Sequence, residues 1–146
     1  MKKINIAFVK ANWHTEIVSK ALEGFRQRIA QEEGVDAVIN VFDVPGAFEM
    51  PLVAQKLAKT GRYDAIVCAA LVVDGGIYRH DFVAQAVVDG LMNVQLATEV
   101  PVFSVSLTPH NFQPVNEIVQ FYDKHFVKKG AEAAQAVLAI NSLAIE

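Results

Sequence analysis

Between Asp74 and Asp81 the chain sets a permanent cation, a titratable imidazole and two carboxylates around a glycine pair: Asp74-Gly75-Gly76-Ile77-Tyr78-Arg79-His80-Asp81. Adjacent glycines let a backbone approach a ligand closely, and the free N–H groups that open a following helix attract anions. Arg79 stays protonated near neutral pH, whereas His80 can exchange a proton there. Together they point to chemistry on an anionic substrate. The same residues also fit a turn of purely geometric purpose with a solvated Arg and His.

Three other short segments carry residues of similar interest. Asn12-Trp13-His14 holds the single tryptophan. A Trp ring in a loop either stacks on a flat heterocycle or packs under a helix or at a subunit contact. In Pro45-Gly46-Ala47-Phe48-Glu49, the Glu49 carboxylate lies between Phe48 and Met50-Pro51, where it needs a partner. It either settles against a helix dipole in the first turn or accepts hydrogen bonds from ligand hydroxyls. The fourth segment runs from Ser104 to Thr108 and on to Pro109-His110; three of the four histidines fall in these segments.

The elements that must position them alternate. Ile4–Val9 reads as a strand, and Thr15–Glu32 as a helix with Ile17, Ala21, Leu22, Phe25 and Ile29 on one face and Gly34 as its stop. Val35–Val44 reads as a second strand, with Val38, Phe42 and Val44 in period two, and Phe48–Ala58 as a helix. Ala65–Val73 is a continuous apolar run and so a buried parallel strand. Asp81–Ala97 has helical spacing through Val83, Val87, Leu91 and Val94, and Val102–Leu107 is a fourth strand. Two helices are predicted to follow, Glu117–Phe126 and Lys129–Leu143, the latter with Ala133, Val137 and Ile140 at core spacing. Strand and helix in this order imply an α/β fold: a three-layer αβα, flavodoxin-like arrangement with a four-stranded parallel sheet and helices on both faces. Ligands of such sheets bind beyond the carboxyl ends of the strands, which is where all four segments lie.

Length and composition bound the rest. A chain of 146 residues suits one domain, read here as 1–146. Its apolar fraction of 53% is high and its charged fraction of 20% modest, which calls for a deeply covered sheet or a large subunit interface. A net charge of −3 without basic clusters beyond Lys128-Lys129 argues against nucleic-acid binding. Cys68, the single cysteine, lies in the apolar strand and reads as a small core residue; it permits neither a disulfide framework nor zinc spacing. The start MKKINIAFVKANW is too short and too strand-like for a signal peptide, and no run spans a bilayer, so a cytoplasmic protein without membrane partners is expected.

Taken together, the segments resemble the lumazine synthases. The likeness rests on Trp13 at an aromatic position, PGAFEMP at 45–51, AALVVDGGIYRHDFV at 69–83, and Ser104–Thr108 with the downstream Lys129-Gly130. The wording GGIYRHDFV is similar to the second-type bacterial enzymes. The resemblance implies condensation of 5-amino-6-(D-ribitylamino)uracil with 3,4-dihydroxy-2-butanone 4-phosphate, releasing phosphate, with no cofactor and no metal. It further implies stacking of the pyrimidine on Trp13 and a hold on the ribityl chain by Ala47 and Phe48 main chain and the Glu49 carboxylate. Backbone of Leu71, Val72 and Val73 would hold the pyrimidine edge, and Gly76 and Ile77 the phosphate. A homo-oligomer is implied as well, a pentamer or a decamer of two pentamers, in which Ser104 and the stretch around Ile118 to Lys128 reach a neighbour's site.

Two departures from the family pattern stand out. Arg79 occupies the position of a usual His, with His80 one residue later. Arg79 then supplies electrostatic support and His80 the titrating group. A phosphate-binding Arg that maps near Ile118 is missing, which leaves that grip to Arg79, His110, His125 or Lys128. The alternative function is a non-catalytic flavin or lumazine carrier on the same fold.

Overall fold

The computed structural model describes residues 2–73, 80–108 and 115–145. In chain order the elements are β1 (Lys2–Ala11), α1 (Thr15–Ala30), β2 (Val35–Val44), a 3-10 turn (Ala47–Glu49), α2 (Met50–Lys59), β3 (Ala65–Leu71), α3 (His80–Thr98), β4 (Val102–Leu107) and α4 (Asn116–Asn141). The strands form one parallel sheet in the order β2-β1-β3-β4, as the alternating pattern implies. Every residue of β3 is buried, which explains why its sequence is a continuous apolar run rather than an alternating one.

Two apolar layers sandwich the sheet. On one face α1 and α4 cover Ile4, Ile6, Phe8, Val67 and Leu71, with Phe8 and Phe25 meeting edge to face at 5.4 Å. On the other, α2 and α3 cover Ala7, Val9, Cys68, Ala70 and Val72. Each large side chain so buried contributes about 1.5–3 kcal/mol relative to exposure. The α3 spacing is borne out, since Val83, Val87, Leu91 and Val94 are all buried.

Three expectations need correction. Residues 116–141 form one helix, not two. Gly130 within it lets α4 touch α1: a methyl group there would overlap the Ala21 carbonyl, and one at Gly24 would overlap the Val127 carbonyl. The two glycines therefore seat each helix on the other's backbone. Second, the inward face of β2 toward α1 is Val35, Ala37, Ile39 and Val41, while Val38 lies exposed at an outer strand that α2 and α3 do not fully cover. Phe42 and Val44 do pack on that opposite layer. Third, Ile140 is exposed rather than in the core.

Boundaries shift by small steps. α1 ends at Ala30 rather than Glu32, β3 ends at Leu71 rather than Val73, and a 3-10 turn precedes α2. Pro51 in the first turn of α2 suits the N-terminus, where its missing N–H is no loss.

Gly24→Ala and Gly130→Ala are each expected to destabilise the fold by about 1–3 kcal/mol, because no rotamer change removes a methyl–carbonyl overlap. Urea unfolding of the two variants against the parent chain measures this directly.

Candidate active site

Register decides which loops become neighbours. Ala11 of β1 pairs with Val44 of β2, Lys10 with Ala69 of β3, and Leu71 with Leu107 of β4. All four strands therefore finish at one edge. Two backbone bonds extend the pairing past the strand ends, Asn12 N–H to Val44 O at 2.9 Å and Val72 N–H to Leu107 O at 2.8 Å. Because β1 is flanked by β2 on one side and β3 on the other, the chain direction across the sheet reverses between β1 and β3, where a crevice opens in folds of this kind.

The Trp13 turn and Val72-Val73 flank that crevice. Trp13 is half-buried and packs on the layer shared with α2 and α3, against Gly46. A methyl at Gly46 would overlap Cε2 and Cζ2 of the indole. Gly46 is extended, with φ −156 and ψ −179, so its requirement is space for the ring rather than unusual backbone angles. Sequence reading passed over Gly46 as a site residue; the signal was its place in Pro45-Gly46 across from a lone Trp. The 3-10 turn that follows buries Ala47 completely, leaves Phe48 62% exposed and holds Glu49 half-buried at the head of α2.

Among the predicted backbone contacts, the Leu71 and Val72 side chains are buried in opposite layers, so only main chain could meet a ligand there. The Val72 N–H is already committed to Leu107, which leaves other groups of this stretch for ligand contact. His80 is half-buried in the first turn of α3, whose N-terminus faces the same edge because it follows β3. Asp74, Gly76, Ile77, Arg79 and His110 lie outside the described residues.

The remaining predicted residues are not brought to this cluster within one chain. Ser104 is exposed on β4 opposite Cys68, three residues short of the strand's end. Ile118 is half-buried on the first turns of α4, and Lys128 is exposed further along it. His125 stacks on Phe121 with ring centroids 5.7 Å apart and planes 9° from parallel. Lys129 pairs with Glu132 at 3.1 Å, and its hydrogen bond holds that carboxyl below the usual carboxylate range. Ser106 has a hydroxyl shielded from solvent and without a hydrogen-bond partner among the described residues.

Beside the Trp13 turn, Lys10 Nζ lies 2.9 Å from Asp43 Oδ1 and donates to Thr15 Oγ1 at 3.0 Å. Lys10 and Asp43 are direct partners in the parallel β1–β2 register, which brings the two side chains together.

A profile of 6,7-dimethyl-8-ribityllumazine synthase matches residues 3–144. The chain belongs to this family. A Rhodococcus erythropolis protein named 6,7-dimethyl-8-ribityllumazine synthase is 62% identical over 90% of this chain and 85% of its own length. One from Pseudomonas syringae pv. tomato named 6,7-dimethyl-8-ribityllumazine synthase 2 is 56% identical over 89% of this chain and 76% of its own. A Deinococcus radiodurans relative with the family name is 36% identical over 94% and 84%. The expected family resemblance is thereby borne out, with relatives named synthase 2 among those it is similar to, as is the three-layer parallel fold.

Burial pushes the Cys68 thiol up to about 12, so thiolate is scarce at any pH where the fold operates. Iodoacetamide at pH 8 should leave Cys68 unmodified in the native protein and label it on unfolding in urea, as followed by intact mass.

Proposed function

We propose that the protein condenses 5-amino-6-(D-ribitylamino)uracil with 3,4-dihydroxy-2-butanone 4-phosphate to give 6,7-dimethyl-8-ribityllumazine, phosphate and water. The observation that carries the reading is the convergence of the Trp13 turn, the Gly46–Glu49 turn, Val73 and the head of α3 on one sheet edge. Membership of the family agrees with it.

On this reading the indole of Trp13, propped by Gly46, stacks on the pyrimidine, and main chain at Leu71–Val73 borders its edge. Ala47 and Phe48 main chain and the Glu49 carboxylate direct the ribityl hydroxyls. The N-terminus of α3 with Gly76 and Ile77 receives the phosphate, since the helix dipole there favours an anion. The substrate amine adds to the ketone and loses water as an imine. Phosphate is eliminated to leave an enol that becomes a carbonyl, and the second nitrogen closes the ring on that carbonyl with loss of a second water. His80 carries protons between these steps, and Arg79 steadies the developing anion. Holding two substrates in contact supplies the largest share of the rate, as intramolecular reactions gain effective concentrations of about 10⁵ M or more.

Assembly completes the site. Ser104, Ile118 and Lys128 lie away from the Trp13 cluster of their own chain and, in a ring of subunits, serve a neighbour's. α3 supports such packing because it is apolar on both sides: Val88, Met92 and Leu96 lie exposed opposite its buried face. A groove of about 640 Å³ between Met92, Leu96, Phe103, Ser104 and Ile140 continues that surface to the open edge of β4. Sedimentation is expected to give five or ten times the 16.0 kDa chain mass; a monomer would remove the shared-site reading.

Lumazine absorbance, followed after mixing protein with both substrates, tests the activity. Rates well above the uncatalysed mixture are expected. No acceleration with tight lumazine or riboflavin binding would leave a carrier instead. His80→Ala is expected to lower kcat about 10²-fold, and Arg79→Ala to raise KM for the phosphate substrate about tenfold. Unchanged kinetics in both variants would take these residues out of the mechanism.

A further inference from the structure

We propose that Lys10 is a positioning residue for Trp13, acting through a clamp across the mouth of the 12–14 turn. The inference rests on the reading of Trp13 as the stacking platform. Lys10 is the penultimate residue of β1, and its ammonium bridges the Asp43 carboxylate of β2 and the hydroxyl of Thr15, the first residue of α1. The two ends of the segment that carries Trp13 are therefore tied by one side chain.

Three observations argue that the tie serves position. The Lys10 side chain is only 11% exposed, so its charge sits largely out of water with one facing carboxylate. It also lies at the start of α1, where the helix dipole disfavours a cation. An apolar side chain would suit this site better unless the bridge itself were useful. Within the span, His14 adopts left-handed angles, φ 53 and ψ 48, while its carbonyl accepts from Ile17 and Val18 at 3.0 and 3.1 Å. A non-glycine residue held in that region needs its neighbours to enforce it. Asn12 N–H is pinned to Val44 O on the same strand pair as Asp43. With both ends held, the indole has one place to go, against Gly46. Without the clamp the Thr15 end is free to shift, and the ring leaves the crevice.

The test is Lys10→Met, which keeps the stem and removes the ammonium, with Lys10→Arg as rescue and Asp43→Asn as the partner variant. Trp13, the single tryptophan, reports its own environment in the unliganded protein. Lys10→Met should shift Trp13 emission to longer wavelength and ease its quenching by acrylamide. KM for the ribitylaminouracil should rise about tenfold with kcat within about twofold. Lys10→Arg should restore both readouts, Asp43→Asn should reproduce the loss, and Lys10→Met with Asp43→Asn should be no worse than either alone. A lower melting temperature with Trp13 emission and KM unchanged would overturn the proposal, since that is what a merely structural ion pair gives. Should Lys10→Met fail to fold, Thr15→Val removes only the second anchor and must still shift the emission. If the parent protein makes no lumazine, the proposed activity falls while the emission series still decides the clamp.

Discussion

Pairing of β1 with strands on both sides governs what the rest of the molecule can place. A parallel ladder advances one residue at a time on each strand, so once Ala11 lies beside Val44 and Lys10 beside Ala69, the residues beyond the ladder are fixed in relation to one another. A slip by one residue would exchange the two apolar layers, turning Phe8 toward α2 and Cys68 toward α1, which neither layer can accept. Burial on both faces thus protects the alignment of the loops that leave the strand ends.

Close approach by glycine is the second requirement, and it recurs at two scales. Gly46 gives the Trp13 ring room beside the turn, and Gly24 with Gly130 gives α1 and α4 room to meet backbone to backbone. The first shapes the crevice and the second shapes the layer beneath it. Beside both, the Lys10 bridge joins β1, β2 and α1 at their common corner. These contacts are dense and local, so a change of one methylene is felt at the site.

Much of this was legible in the chain. Ala65–Leu71 and Val83–Val94 could be placed because burial imposes a composition or a spacing that nothing else imitates. β2 misled, since an outer strand half-covered on both faces has apolar residues in both phases, and period two alone does not say which phase is inward. The gap read between Phe126 and Lys129 is helical, and Gly130, a residue that weakens a helix, is held there by packing on α1 that the sequence does not display. Trp13, Glu49 and His80 stood out by residue type near strand ends, whereas Ala47 and Phe48 entered only through the family resemblance. Gly46 and Lys10 did not stand out, since one acts by what it lacks and the other through a partner more than thirty positions away.

The meeting of Gly24 with Val127 and of Gly130 with Ala21 joins the opening third of the chain to its closing third. The layer around α1 stays unfinished until α4 exists, leaving Phe8, Phe25 and Ile6 without their cover. At ribosomal rates of about 5–20 residues per second, the stretch from α1 to Gly130 takes on the order of ten seconds to make. During that interval the apolar faces of β1 and α1 lack the cover that α4 supplies. Distant partners of this kind also slow the closing step itself, because the loop entropy must be overcome before the contact rewards it.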